Sequence, residues 1–169
     1  TETAARADEH LFITPGTDAL LLLALLHVVL ERPARLPAYA DGLDEVTALA
    51  RRFPPERVAA ATGISAGTIR RLAAEFAAAP SAVAYGRMGT SVQPFGSLCA
   101  WLINVLNVVT GNFDRPGGAM FPSPAFDPRT LPKALSGGRG SYGRWKSRVR
   151  GLPEAGGELP VATLAEDIL

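Results

Sequence analysis

The hydrophobic and polar positions of this chain follow two kinds of pattern. Short apolar runs at residues 10–13 and 81–85 each end in a polar, glycine-containing loop, which is typical of a buried strand that ends in a turn. Longer apolar stretches follow at residues 18–31 and 95–109. The first is apolar on nearly every helical face, so we expect both of its faces to be covered, and the second is again mostly apolar. This order predicts two units, each made of a strand, a loop and a helix.

Between the two repeats the pattern has the spacing of amphipathic helices. Apolar residues recur three and four positions apart in residues 43–53, 54–61 and 66–79, and prolines or glycines separate these segments. Two strand–loop–helix units with a helical insert predict an α/β fold with a mostly parallel sheet. Two strands do not make a sheet, so further strands have to come from the C-terminal part or from sequence outside this chain. Ligands of such sheets bind beyond the carboxyl ends of the strands, where the loops at residues 15–18 and 86–89 lie.

The pattern changes after residue 121. Between residues 128 and 150 there are seven basic side chains and no acidic one, and glycine and proline are frequent. We therefore divide the chain into an α/β domain, residues 1–121, and an irregular, basic, Gly/Pro-rich extension of the same domain, residues 122–169, with a weak helix near residues 161–169. The basic stretch either faces anionic groups of a cofactor or partner or is a solvated loop.

The amino-acid composition argues against several classes of protein and of metal site. The 169 residues carry a net charge of +1, which argues against a dedicated nucleic-acid-binding protein. Cys99 is the one cysteine, so a disulfide framework, a zinc ribbon and an iron–sulfur cluster held by this chain alone are excluded. The longest apolar run, residues 19–30, is shorter than the roughly 20 residues that a bilayer span needs. His10 and His27 have no second ligand at a useful spacing, so we predict neither metal ligands nor catalytic residues in this chain.

The loop formed by Pro15, Gly16, Thr17 and Asp18 is the first candidate binding element. It lies between a predicted strand and a predicted helix, whose start offers unpaired N–H donors. Gly16 lets a ligand approach the backbone, and the Asp18 carboxylate can accept two N–H donors from the edge of a planar base. The alternative is an ordinary helix that follows a turn and is capped by Thr17.

Two further loops are candidates, one after the second predicted strand and one after the second long helix. The first consists of Gly86, Arg87, Met88 and Gly89. Its glycines allow close approach of the backbone, and its arginine can meet a phosphate. The second, residues 110–118, contains Gly111 and Asn112 and can present backbone N–H and C=O groups to a flat polar ring. For both loops the alternative is an ordinary connection.

Residues 56–79 allow a different function, a helix-turn-helix DNA-binding regulator. Two short helices are predicted around a Gly-Ile-Ser turn, and the second carries Arg70 and Arg71. Base reading needs more polar side chains than this helix has, since its other positions are mostly Ala, Gly and Leu. A packed helical hairpin is the competing interpretation.

A series of short motifs also occurs in order over residues 1–121. The motifs are Ala7-Asp8 to Ile13, Pro15-Gly16-Thr17-Asp18, His27-Val28, Pro55-Glu56-Arg57-Val58, Thr62-Gly63-Ile64, Ile69-Arg70-Arg71-Leu72-Ala73, Tyr85-Gly86-Arg87-Met88-Gly89 and Thr110-Gly111-Asn112 with Arg115-Pro116-Gly117-Gly118. In this order and spacing they resemble the large subunit of the prokaryotic molybdopterin oxidoreductases, the group of formate dehydrogenase, nitrate reductase and dimethyl sulfoxide reductase.

The resemblance implies a Rossmann-like domain that binds bis(molybdopterin guanine dinucleotide) with molybdenum or tungsten. It implies that residues 15–18 lie against a guanine dinucleotide with the acidic residue facing the base. It further implies that residues 86–89 lie near the pterins and the metal, and that Gly111 and Asn112 lie close to a pterin. Gln93 is also included in this set of expected cofactor-binding residues. This stretch departs from the family, because many relatives carry a Gln-His pair after the Gly-x-Gly loop, where this chain has Val92-Gln93.

The chain also departs from its relatives. After the Pro-Gly-Gly turn the formate dehydrogenase branch has an Arg-Gly-Gln-Asn-Asn run, whereas this chain has Ala119-Met120-Phe121-Pro122, which argues against formate as the substrate. Iron–sulfur cysteines and the metal ligand are expected only in upstream sequence, so the chain alone is expected to be inactive. Its expected partners are the rest of a parent chain and an electron-transfer protein or subunit, with no nucleic acid and no membrane span. No signal peptide is recognised, and a cytoplasmic location is expected.

Overall fold

A computed structural model describes residues 2–38, 40–121 and 142–168. The chain divides into two compact units, Thr1–Phe121 and Pro122–Leu169. The helices of the first unit are α1 (Glu2–Arg6), α2 (Asp18–Val29), α3 (Leu43–Arg51), α4 (Pro55–Thr62), α5 (Ala66–Ala78), α6 (Met88–Ser91) and α7 (Gly96–Val109). The second unit contains β1 (Tyr142–Lys146), β2 (Pro153–Ala155), a 3₁₀ turn (Val161–Thr163) and α8 (Leu164–Ile168).

Helix α2 is the centre of the first unit. It packs against α3, α4, α5 and α7, which confirms the prediction that this apolar helix is covered on both faces. Leu23, Leu26 and Val29 pack with Leu102 and Leu106 of α7 in one cluster of buried side chains. A second cluster lies on the other side of α2, where Ala24 meets buried residues of α4, α5 and the turn between them. The helix therefore separates two small cores.

The ends of the helices follow the local signals in the sequence. The hydroxyl of Ser65 accepts a hydrogen bond from the backbone N–H of Thr68 at 3.1 Å and so caps α5 as predicted. Gly63 ends α4 with a φ of +75°, in the left-handed region that favours glycine. Thr17 differs from expectation, because it makes no side-chain cap of α2 and its hydroxyl donates instead to the carbonyl of Thr14 at 2.6 Å. The first N–H groups of α2 are therefore left without a side-chain cap.

The described residues do not form the predicted mostly parallel sheet. Residues 10–13 and 81–85 form no strand, and the strands of the described chain, β1 and β2, make one antiparallel pair. The physical reason lies in hydrogen bonding. The backbone N–H of Ala84 donates to Asn107 Oδ1 at 2.8 Å, and Asn107 Nδ2 donates to the carbonyl of Ala84 at 2.9 Å. A side chain of α7, and not a neighbouring strand, therefore pairs with the backbone of Ala84.

In the second unit a short hairpin occurs where no strand was predicted. The helix predicted near residues 161–169 is present as the 3₁₀ turn and α8. Part of the basic stretch is tied to this helix, since Arg150 pairs with Glu166 and Arg148 donates to the carbonyl of Asp167 at 2.8 Å. The other basic residues of the stretch that precede β1, Arg129, Lys133 and Arg139, lie outside the described residues.

Candidate functional site

The Gln93 side chain brings together two of the three loops predicted to bind a ligand. Its Nε2 donates to Asp18 Oδ2 at 2.8 Å and to the carbonyl of Gly89 at 3.0 Å. Asp18 begins α2, and Gly89 belongs to the loop that becomes α6. One amide thus joins loops that are about 70 residues apart in the sequence, in a cluster that we call the Asp18–Gln93 cluster (Gly16, Asp18, Gly89 and Gln93).

A tight turn between α6 and α7 holds Gln93 in place. The backbone N–H of Gly96 donates to the carbonyl of Gln93 at 3.0 Å, and Phe95 has a φ of +65°, which is rare for a bulky residue. A side chain at Gly96 would collide with the backbone of Ser91, so the turn closes only with glycine there. Gln93 therefore projects from a backbone with little freedom.

An unpaired acceptor lies at the centre of the cluster. Gln93 Oε1 is buried and has no hydrogen-bond partner among the described residues. Gly16 lies next to it, with a φ of +84°, and a Cβ built at this position would be 3.9 Å from that oxygen. Buried polar atoms are almost always hydrogen bonded in folded proteins. The cluster thus offers a buried acceptor and a carboxylate beside the uncapped first turn of α2.

The Gly86–Gly89 loop leaves space on one side and none on the other. A Cβ at Gly86 would lie 2.5 Å from Ile103 Cδ1 and 2.7 Å from Thr90 Oγ1, so a larger residue does not fit without movement. A Cβ at Gly89 would meet no atom within 4 Å. The guanidinium of Arg87 has no acidic partner within the part of the chain that the structure describes. The loop is therefore closely packed at its start and open to an approaching ligand at its end.

Two cavities adjoin these loops. One, of about 350 Å³, lies between α2, α5 and α7, and Asp18 and Thr90 contribute to an otherwise mostly apolar lining. Another, of about 380 Å³, is lined by Gly86, Thr90 and Asn107 and extends to Gly118 in the third predicted loop. A larger groove of about 610 Å³ lies between α3 and α7, away from the predicted binding loops.

Gly111 and Asn112 take a different position from the other predicted site residues. Asn112 is buried, and its side chain accepts from the N–H of Ala82 at 3.2 Å and donates to Thr110 Oγ1 at 3.0 Å. Gly111 packs against Arg35, with a φ of +70°. Neither residue lines the two cavities beside the Asp18–Gln93 cluster. Their side-chain surroundings are those of a structural turn, and a contact between this turn and a pterin stays a prediction.

Sequence reasoning missed Asn107, which supports the site from α7. This residue is 1% exposed, and its amide pairs with the backbone of Ala84 just before the Gly86–Gly89 loop. Its position in a mostly apolar helix could have identified it from the sequence, since a buried amide in such a helix needs specific hydrogen-bond partners. Asn107 therefore connects α7 to the chain that enters the loop.

Cys99 is a poor candidate for a metal thiolate. It lies fully buried in α7, and burial together with the nearby negative charge of Asp18 raises the pKa of its thiol above its ordinary value. Among residues 2–38, 40–121 and 142–168 there is no group of three or more His, Cys, Asp or Glu side chains that could hold a metal ion. In the same residues no helix has the length and hydrophobicity required to cross a bilayer.

The region that resembled a helix-turn-helix is a helical hairpin whose arginines are paired. Arg70 donates two hydrogen bonds to Glu56, both at 3.0 Å, and Arg71 bridges Glu9 at 2.6 Å and Glu75 at 3.0 Å. The bonds to Glu9 and then Glu75 raise the pKa of Arg71. Because the positive charges meet carboxylates of the same chain, the DNA-binding alternative is not favoured.

We therefore expect the chain not to bind duplex DNA specifically. In gel-shift titrations across several salt concentrations, no sub-micromolar complex should form, since such binding requires several phosphate contacts. The double variant Glu56→Gln, Glu75→Gln, which weakens the pairing of both arginines, should increase binding only slightly, because the helix has few other groups to contact DNA. Tight binding with a steep salt dependence would reverse this assignment.

The comparisons with known proteins agree with the resemblance found in the sequence. Over 125 residues, 72% of this chain, it is 31% identical to formate dehydrogenase H of Escherichia coli (strain K12) and 33% identical to a putative formate dehydrogenase of Staphylococcus aureus (strain USA300). Acetylene hydratase from Pelobacter acetylenicus has a similar structure, with a TM-score of 0.63 and 28% identity over 70% of this chain. The chain spans 13–18% of the length of these proteins. No protein-family model matches it.

Proposed function

Because this chain is homologous to part of the molybdopterin oxidoreductases, we propose that it forms part of the cofactor-binding domain of a molybdenum- or tungsten-dependent oxidoreductase. The proposed cofactor is bis(molybdopterin guanine dinucleotide). The observation that carries the proposal is the Asp18–Gln93 cluster, in which two loops expected to bind this cofactor share one hydrogen-bonding side chain. In the proposed parent domain, added strands pair with residues 10–13 and 81–85 to complete a Rossmann-like sheet.

The residues of the cluster fit a guanine base. Guanine presents adjacent N–H donors on one edge, and the Asp18 carboxylate and Gln93 Oε1 are acceptors that can meet them. Gln93 Oε1 has no hydrogen-bond partner among the residues that the structure describes, and Gly16 beside it has no side chain that would block a base edge. The guanidinium of Arg87, which meets no carboxylate among the described residues, is suited to a phosphate. Gly16, Asp18 and Gln93 would hold the guanine end of the cofactor, and Arg87 would meet a phosphate on the side of the pterins.

When bound, the cofactor supplies a metal that changes oxidation state while an oxygen atom or a hydride equivalent is transferred. The residues of this chain bind and orient it. Gly86 gives the loop its close packing against α7, and the cavity beside Asp18 has a mostly apolar lining. Since Cys99 is buried with a raised pKa, the proposal assigns the metal ligand to another part of the parent chain, together with iron–sulfur cysteines and an electron-transfer partner.

The test is the cofactor content of the parent protein. Purified after growth with molybdate and with tungstate, it should contain one of the two metals and release guanosine monophosphate (GMP) on acid hydrolysis, at roughly twice the molar amount of metal. Mass spectrometry measures the metal, and chromatography measures the GMP. Metal without GMP would contradict the dinucleotide form of the cofactor.

The 169-residue chain, expressed alone, is the control for the same experiment. It should show no turnover with artificial electron acceptors, because it lacks a credible metal ligand. Loss of a measured activity in a Cys99→Ala variant of this short chain would contradict the proposal, as would a parent protein with neither metal.

A further inference from the structure

The orientation of the Gln93 amide is fixed by the chemistry of its partners. Its nitrogen lies 2.8 Å from Asp18 Oδ2 and 3.0 Å from the carbonyl oxygen of Gly89. An ionised carboxylate and a carbonyl only accept hydrogen bonds, so the atom between them has to be the donor. The opposite rotation of the amide would place three acceptor oxygens together. The side-chain oxygen is therefore the atom that lies near Gly16, 3.9 Å from a Cβ built at that position.

This arrangement fixes one carboxylate oxygen of Asp18. Asp18 stands in the first turn of α2, where Thr17 supplies no side-chain cap. The bond from Gln93 selects one rotamer of Asp18 and leaves its second oxygen free to accept from a ligand. Since Gln93 Oε1 has no partner among the described residues, a donor on the same ligand can satisfy it.

We infer that Gln93 is the positioning residue of this site: its Nε2 holds the Asp18 carboxylate in the ligand-accepting rotamer, and its Oε1 accepts a second N–H from the same base edge. The inference rests on the proposed function, because it takes the ligand to be the guanine end of the cofactor. The class of ligand follows from the pair of acceptors, which matches a planar edge with two neighbouring N–H donors and mismatches one that pairs a donor with an acceptor.

The test is a double-mutant cycle in the full parent protein, with retained GMP and metal per chain as readouts. Gln93→Met keeps the length of the side chain and removes both polar atoms, and it should lower retained GMP by about tenfold. In an Asp18→Ala background the same substitution should lower it by no more than about threefold, because only the second acceptor is then lost. Thr68→Val, which removes an exposed hydrogen bond to Ser65 on α5, is the control and should retain GMP like the wild type.

Gln93→Glu keeps the size and an acceptor oxygen but replaces the donor with a carboxylate that faces Asp18. It should lose GMP at least as strongly as Gln93→Met, and thermal melting of each variant checks that the parent still folds. Wild-type GMP in either Gln93 variant would overturn the inference, and so would equal losses in the two backgrounds. Full retention of GMP in Asp18→Ala would overturn the inference as well. A wild-type parent protein that contains neither metal nor GMP would overturn the proposed function instead, so the two failures are distinguishable.

Discussion

Replacing Asp18 with alanine is expected to lower the cofactor occupancy of the parent protein by roughly tenfold or more. The carboxylate is held by Gln93 at 2.8 Å in the first turn of α2, where Thr17 supplies no side-chain cap, so little freedom is lost when a base binds. Charge-assisted hydrogen bonds contribute about 1.5–3 kcal/mol each, and each 1.4 kcal/mol is a factor of ten in affinity. Metal analysis and GMP release on the same sample measure the effect.

Asp18→Asn is the matched variant, since it keeps the size and the bond from Gln93 while removing the charge. Its occupancy should fall between those of the wild type and Asp18→Ala. A role in capping α2 predicts a different result, a loss of about 1 kcal/mol in the free energy of unfolding with occupancy unchanged. Normal molybdenum or tungsten content in Asp18→Ala would remove this residue from the binding site.

Replacing Asn107 with leucine is expected to lower the free energy of unfolding strongly. The Asn107 amide is buried and holds both the N–H and the C=O of Ala84. Leucine has a similar volume but leaves those two backbone groups without partners, and unsatisfied groups of this kind cost about 1–3 kcal/mol each. The free energy of unfolding should therefore fall by roughly 3 kcal/mol in urea titrations, with an unchanged dependence on urea.

Asn104 offers the control in the same helix. Its side chain is exposed and donates only to the carbonyl of Ala100 within α7, at 3.1 Å. Asn104→Leu should change the free energy of unfolding by less than about 0.5 kcal/mol. If the two variants were equally stable, the amide of Asn107 would not be what holds residues 81–85.

The helices could be predicted because their signals are local. Ser65 marks the start of α5, and Pro80 follows its end. The apolar stretch that becomes α2 has no polar face, so it had to be central, and both cores pack against it. These features depend on residues within one or two helical turns, which a single sequence displays directly.

The missing sheet and the link between the loops depend on contacts far apart in sequence. Residues 81–85 have the composition of a strand, but whether they pair with a strand or with the amide of Asn107 depends on what lies beside them. The loops containing Asp18 and Gly89 were predicted one by one from their glycines and polar ends. That Gln93 joins them, 75 positions from Asp18, follows only from the packing of α2 against α7.

The Asn107–Ala84 pairing has a consequence for the cooperativity of local opening. In a sheet, an edge segment can detach while the helices behind it stay folded. In this chain the segment is fastened by a side chain of α7, and Asn107 Nδ2 also donates to the carbonyl of Ile103 within that helix at 3.0 Å. Fluctuations that release residues 81–85 are thereby coupled to the helix, and the two should open as one unit with a shared free energy. The approach to the Gly86–Gly89 loop thus has the rigidity of a helix even where it has no regular structure of its own.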